Sequence, residues 1–190
     1  MKPETSNQQP TTMTNDLLTG LNLILRAVEP SDVDLLLEWE NDISVWKVSN
    51  TITPFSRFEI EEYVLNAKRD IFSARQLRLM ISLPKEEAAS VTIGTIDLFE
   101  FDPVHLRAGV GIMIAKEFRG KGYAAEALNT LVRYASEGLH LNQLFCNISS
   151  DNLVSIRLFE RNSFIRCGQK KQWINAGEEW LDEYMYQRIL

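Results

Sequence analysis

Residues 111–128 read GIMIAKEFRGKGYAAEAL. The opening GIMI ends an apolar, extended run predicted over Arg107 to Ile114. Arg119-Gly-Lys-Gly-Tyr-Ala then opens a different pattern. From there Ala124, Ala127, Leu128, Leu131, Val132 and Ala135 recur at the spacing of one helical face. A strand therefore passes through a glycine-rich turn into a helix, predicted from Tyr123 to Glu137, with Gly138 suited to close it. A short apolar strand, Leu144 to Ser149, follows. Strand, helix, strand in that order is a βαβ unit and implies a parallel pair.

The turn has chemistry of its own. Gly120 and Gly122 let the backbone approach a ligand closely. The first N–H groups of the helix lack internal partners, and with the helix dipole they suit a phosphate or pyrophosphate. Arg119 and Lys121 add positive charge. Lys121 is followed by Gly122, not Ser or Thr, so this is no Walker loop. The sixth position of a G-x-G-x-x-G fingerprint is filled by Ala125 and no acidic partner is evident, so it is no dinucleotide turn either. A plain tight turn with two solvated cations stays open at this point.

Outward from this unit, Leu21 to Val28 reads as a strand, and Ser31 with Asp34 as the start of a first helix. Ser56-Arg-Phe-Glu59 is a capping box opening a second helix to about Arg69. Leu77–Leu83, Val91–Phe101 and Arg107–Ile114 read as an antiparallel meander, joined by the polar turn Pro84–Ser90 and by Asp102-Pro103. Asn152–Arg161 reads as a short helix. Phe164–Ile174 and Glu178–Ile189 flank Asn175-Ala-Gly, a hairpin signal. The fold class is α+β: a mixed, mostly antiparallel sheet of about seven strands, helices on both faces, and one parallel pair. Residues 1–19 are polar and without period, a disordered leader; 20–190 form a single domain.

The chain has 190 residues, 45% hydrophobic and 24% charged, which suits one globular domain and argues against disorder or a disulfide scaffold. The net charge of -6 disfavours a nucleic-acid binder. With two cysteines and two histidines in no metal-like spacing, no metal site is expected. Cys146 and Cys167 read as reduced, mostly buried thiols of a cytoplasmic protein. No apolar run nears the roughly 18 residues needed to span a bilayer, and no membrane association is expected.

Arg119-x-x-Gly122-x-Ala124 resembles the Q/R-x-x-G-x-G/A signature of the GCN5-related N-acetyltransferase (GNAT) superfamily. Asn152-x-x-Ser155-x-x-Leu158-Phe159-Glu160, running on to Phe164, resembles its second signature. Trp173-Ile-Asn-Ala-Gly177 and Asp182-Glu-Tyr184 resemble the closing hairpin of the subgroup of spermidine and ribosomal-protein N-acetyltransferases. The resemblance implies acetyl-CoA held where the two parallel strands splay. Its pantetheine arm would pair with Ile112, Met113 and Ile114 as an added strand. Its pyrophosphate would rest on the N–H groups of Arg119, Gly120, Lys121, Gly122, Tyr123, Ala124 and Ala125. Asn152 and Ser155 would reach the arm, with Phe159 near the thioester. The acceptor would be an amine: a polyamine-like small molecule or a protein N-terminus.

The sequence departs from the family in three places. Phe159 stands where a Tyr often protonates the leaving thiolate, Gly109 where many relatives carry a Glu base, and Ser163 where Gly is usual. The candidates to replace a catalytic group are Glu100 and His105. Trp46, Phe55 and Asp97 are the candidates to line the acceptor pocket. Two rival readings are an acyl-CoA-binding sensor without catalysis and an unrelated nucleotide-phosphate domain. The acceptor's identity and any homo-oligomer stay open.

Overall fold

The computed structural model of the chain describes residues 17–49, 51–67, 70–84 and 90–190. Seven strands form one sheet: β1 (Ile24–Ala27), β2 (Leu77–Leu83), β3 (Val91–Asp102), β4 (Arg107–Ile114), β5 (Gln143–Ser149), β6 (Ile165–Asn175) and β7 (Trp180–Ile189). Their spatial order is β1-β2-β3-β4-β5-β7-β6. The pair β4–β5 is parallel and every other neighbouring pair is antiparallel. The helices are α1 (Val33–Glu40), α2 (Ile43–Ser49), α3 (Arg57–Asn66), α4 (Ile71–Ala74), α5 (Tyr123–Arg133) and α6 (Leu153–Arg161). This is the mixed, mostly antiparallel α+β sheet expected from the sequence.

Strand β2 shows why both sheet faces are covered. Successive side chains of a strand point to opposite faces. Leu79 and Ile81 join the core that Ala127, Leu128 and Leu131 of α5 also fill. Met80, between them, packs with Leu36 of α1 and with Ile60 and Val64 of α3. A strand buried on both sides reads as a continuous apolar run.

Local signals held in some places and yielded in others. The Ser56–Glu59 box forms as expected: Glu59 N–H donates to Ser56 Oγ at 3.2 Å and Ser56 N–H to Glu59 Oε2 at 2.7 Å. The first helix does not start on Ser31. A 3-10 turn, Pro30–Asp32, precedes it, and Asp32 is the N-cap of α1. Asp32 is drawn into the interior by Arg26, and the helix starts where that pair puts it. Gly138 does not close its helix in the left-handed region; His140 takes that conformation, at φ 53°. The helix widens over Tyr134–Gly138, with Leu139 N–H on the Tyr134 carbonyl at 3.0 Å. A Cβ on Gly138 would stand 3.0 Å from the Tyr134 ring, so glycine serves close approach there. Helices α2 and α4, of seven and four residues, are too short to show a period, and neither was expected.

Of the leader, residues 1–16 lie outside the described residues, as do 50, 68–69 and 85–89. Residues 17–19 belong to the fold: Arg133 Nη2 donates to the Thr19 carbonyl at 2.6 Å, and Leu25 N–H to the Leu18 carbonyl at 2.8 Å. Cys146 is buried as expected, but Cys167 is exposed, since it lies on the edge strand β6.

The parallel pair is short. It links Arg107–Gln143, Ala108–Leu144 and Gly109–Phe145 and goes no further. Beyond it β4 stays paired with β3 as far as Ile114, and β5 with β7 as far as Ser149. Phe99 of β3 lies opposite Gly109, and its ring meets Phe145 edge-on with centroids 5.9 Å apart. A Cβ on Gly109 would come within 2.3 Å of that ring. The Phe99 ring thus fills the volume a longer side chain would need, which accounts for the glycine in place of glutamate.

Two expectations follow for stability. Asp32 is 2% exposed and takes Arg26 Nη1 and Nη2 at 2.7 Å each, with Glu29 N–H at 2.8 Å. Arg26 also donates to Ser82 Oγ and Thr92 Oγ1, so the pair joins β1 and α1 to β2 and β3. Burial pushes the Asp32 carboxyl up, but the Arg26 and Glu29 bonds outweigh it and hold it below the usual range. Its contribution is therefore present above the ordinary aspartate pKa, about 4, and is lost as pH falls through the lower native value. Asp32→Asn is expected to cost about 3 kcal/mol in urea melts at pH 7, with a smaller deficit at pH 3. Separately, Gly109→Ala is expected to cost about 1–3 kcal/mol by overpacking against Phe99. In Phe99→Leu that cost should shrink, giving a coupling of about 1 kcal/mol in a double-mutant cycle.

Candidate active site

Where β4 and β5 part, a cavity of about 1190 Å³ opens between them. Val110, Gly111 and Ile112 line one side of the fork and Cys146 to Ser149 the other. Each strand presents an edge that the sheet leaves without a neighbour, which an extended arm can fill as an added strand. Ile112, Trp46, Asp97, Glu100, Asn152, Ser155 and Phe159 all line this one cavity. Seven residues chosen from the sequence for three separate roles are thus brought together.

On the α6 side, Asn152 caps the helix: its Oδ1 accepts from Ser155 N–H at 3.1 Å. Its place is explained by the cap, which also fixes both residues at the cavity wall. Phe159 is 4% exposed and meets Phe164 edge-on, centroids 4.9 Å apart. It is an apolar wall that carries no proton. No tyrosine lines the cavity among the described residues.

The glycine turn continues β4 past the fork and does not line the cavity, nor do Met113 and Ile114. Gly120 and Gly122 sit at φ 75° and 86°, and a Cβ on either would meet nothing within 4 Å. Conformation, not crowding, requires glycine at both. Gly122 is the N-cap of α5. Its carbonyl accepts from Ala125 N–H and Glu126 N–H at 3.1 and 3.2 Å, while Tyr123 N–H and Ala124 N–H find no acceptor among the described residues. These donors and the helix dipole fit an anion. The Arg119 N–H, expected at the pyrophosphate, points to the Lys116 carbonyl at 3.4 Å. Arg119 Nε donates to the Ile114 carbonyl at 2.7 Å, tying the turn back to the end of β4. Lys121 Nζ lies 5.2 Å from the Phe118 ring centroid.

The wall of the cavity that β3 helps to build is acidic. Among the described residues, the charged side chains that line the cavity are Asp97, Glu100, Asp151, Glu183 and Arg78, with Glu183 paired to Lys170 at 2.6 Å. Arg78 Nε donates to Asp97 Oδ1 at 2.6 Å and Nη1 to Glu40 Oε1 at 2.5 Å, with its Cζ 5.2 Å from the Tyr63 ring centroid. Burial pushes the Asp97 carboxyl above the usual carboxylate range, against the pull of Arg78. Asp97 pairs with Gly111 across the β3–β4 ladder, and a Cβ there would lie 3.8 Å from Asp97 Oδ2. The missing side chain leaves that oxygen facing the fork. Glu100 sits in the irregular stretch between Phe99 and Asp102, in the left-handed region at φ 48°. Trp46 Nε1 donates to the Glu40 carbonyl at 2.8 Å, which orients its ring at the cavity.

Two candidates stand outside. His105 lies in the exposed turn after β3, with its N–H on Asp102 Oδ1 at 2.9 Å, and lines no part of the cavity. Phe55 is held through its backbone by Asn41, at 2.9 Å in each direction, and its ring is not at the wall. The sequence reading passed over Arg78 and Glu40. An arginine within the apolar run of β2 was the available signal, since a buried guanidinium requires carboxylate partners.

Residues 22–165 match the acetyltransferase (GNAT) domain family. Among curated proteins, an uncharacterized N-acetyltransferase, p20, of Bacillus licheniformis is 29% identical over 86% of this chain and 90% of its own. A spermidine N(1)-acetyltransferase of Vibrio cholerae is 27% identical over 77% and 80%. Among solved structures, spermidine N-acetyltransferase from Vibrio cholerae in complex with CoA and spermine superposes with a TM-score of 0.79 at 23% identity, covering 88% of this chain and 95% of that one. A domain match across most of the chain, on a sheet whose parallel pair forks ahead of a glycine turn, places the protein in the GNAT family as an acetyl-CoA-dependent N-acetyltransferase.

Proposed function

We propose that the protein moves the acetyl group of acetyl-CoA to a primary amine bound on the acidic side of the fork. The observation that carries this reading is the cavity itself. It joins the free edges of β4 and β5 to four carboxylates among the described residues, of which Asp97 is paired with Arg78 and Glu183 with Lys170, while Glu100 and Asp151 have no ion-pair partner there. The chain's groups fit the co-substrate: the β4 edge suits the pantetheine amides, and the Tyr123 and Ala124 N–H groups suit the pyrophosphate. Asn152 and Ser155 close the opposite wall. When bound, acetyl-CoA supplies an acetyl thioester for direct attack by the amine.

The chain has two further tasks. An alkyl amine with a pKa near 10 arrives as an ammonium and must lose a proton before it can attack. Glu100, exposed at the cavity edge, attracts the ammonium. Asp97, raised by burial and turned toward Gly111, takes the proton directly or through a water. Glu100 thus becomes an anchor and Asp97 the base. Phe159 provides an apolar wall, and the leaving thiolate takes its proton from solvent. The relatives named for spermidine support a cationic acceptor. The same acidic wall also suits a peptide N-terminus.

Thiol release from acetyl-CoA with a panel of amines and N-terminal peptides tests the reading. Binding of CoA with no release for any acceptor would favour the sensor. Asp97→Asn is expected to lower kcat on the order of 10²-fold and to abolish the acid limb of the pH profile. In the wild type that limb should lie above the ordinary carboxylate range, because activity falls as Asp97 takes up a proton. Glu100→Gln is expected to raise KM for cationic amines with little change in kcat. At the turn, Gly122→Asp adds a side chain at φ 86° and a negative charge. It is expected to weaken CoA binding by about 1–3 kcal/mol in calorimetry.

A further inference from the structure

A second cavity, of about 820 Å³, shares Gln76, Phe99, Glu100 and Asn147 with the first. The two differ in charge. The first is acidic, whereas the second sets Arg75, Arg107 and Lys170 against Glu100 and Asp102. Arg107 is paired with Asp102 at 3.2 Å and Lys170 with Glu183 at 2.6 Å. The Arg75 guanidinium has no hydrogen-bond or ion-pair partner among the described residues.

Arg75 is also held in an unusual way. It is the C-cap of α4 in the left-handed region at φ 51°, and its carbonyl accepts from Phe101 N–H at 3.0 Å. Phe101 follows Glu100, itself left-handed at φ 48°. Two strained residues of opposite charge are thus stapled together where the cavities meet. Strain of this kind persists where the surrounding structure enforces it, and it gathers at ligand sites. Beyond them, Gln143 and Gln187 join Gln76 and Asn147 in the lining. Carboxamides offer donors and acceptors together, as a peptide backbone requires.

We propose that the second cavity is a subsite for the body of the acceptor, and that the acceptor is a peptide N-terminus followed by acidic side chains. The ammonium sits at Glu100 in the first cavity. The next peptide groups cross the shared wall onto the carboxamides. An acidic side chain then meets Arg75. A polyamine laid along the same path would bring a second ammonium up to Arg75 and be repelled. This rests on the acetyl-transfer reading and narrows its acceptor.

The test uses the full chain with acetyl-CoA and three acceptors: the tetrapeptide amides SEEL and SKKL, and spermidine. SEEL is expected to exceed SKKL in kcat/KM by about tenfold at low salt, with the gap narrowing as salt rises. Arg75→Glu is expected to reverse that preference through KM, with kcat changing less than about twofold, while Arg75→Lys keeps most of it. Equal use of the two peptides overturns the subsite, as does an equal loss for both in Arg75→Glu. Spermidine outperforming both peptides and indifferent to Arg75→Glu also overturns it; each of these outcomes leaves acetyl transfer to an amine standing. Acetylation of none of the three, with CoA still bound, overturns both the transfer reading and the subsite.

Discussion

The parallel contact between β4 and β5 is only three residue pairs long, and the rest of the site depends on where it stops. Parallel strands left to themselves would continue their ladder. Here each strand stays paired with its other neighbour, β4 with β3 as far as Ile114 and β5 with β7 as far as Ser149. Phe99 and Phe145 stand face against edge at the last shared pair, over a glycine that has no side chain to oppose them. Past that point two strand edges face each other across a gap that an extended arm of a ligand can bridge. The sheet, in effect, is a β-sheet with one strand left out.

Charge is divided along the same line. On the co-substrate side the fold offers backbone donors and the N-terminus of α5. On the side where the proposed function puts the acceptor it offers carboxylates. The cluster of Arg78 with Asp97 and Glu40 mediates between them. One guanidinium bonded to two carboxylates lets acidic groups be buried at the fork without a lone buried charge. Glu100 and Asp151 line the same cavity without an ion-pair partner among the described residues, and in the function proposed above they face the ammonium of the acceptor. The same arginine lies over Tyr63, so the acidic wall and the packing of α3 on the sheet are one unit.

A GNAT fold usually read through its tyrosine and its strand glutamate here has neither, and the structure gives each loss a physical reason. Phe159 is packed edge-on against Phe164 and buried, so a hydroxyl in its place would require a partner. Gly109 lies beneath Phe99. In the function proposed above, the acid–base chemistry falls to β3, which runs beside β4 and carries Asp97 and Glu100 into the cavity lining.

Much of this was legible in the residues in order. The apolar run into Arg119-Gly-Lys-Gly-Tyr-Ala, the helical period after it and the short strand at Leu144 give the βαβ unit, because strand and helix periods and the φ freedom of glycine are local properties. The Ser56–Glu59 cap and the Asn175 hairpin belong to the same class. Short helices escaped, since four to seven residues carry no period. The start of α1 was displaced because Asp32 answers to Arg26, a neighbour only in space. The charged wall of the cavity was legible in part: Asp97 and Glu100 stood out as carboxylates in an apolar strand, while Arg78, Glu40 and Arg75 did not. The sequence already set His105 in a turn and Asp97 within a strand, but only the fold showed that the strand position lines the fork and the turn does not. Local periodicity and turn chemistry determine which elements form. Which side chains meet is decided by strand register and by the point at which β4 and β5 part, and both depend on contacts between residues far apart in the chain.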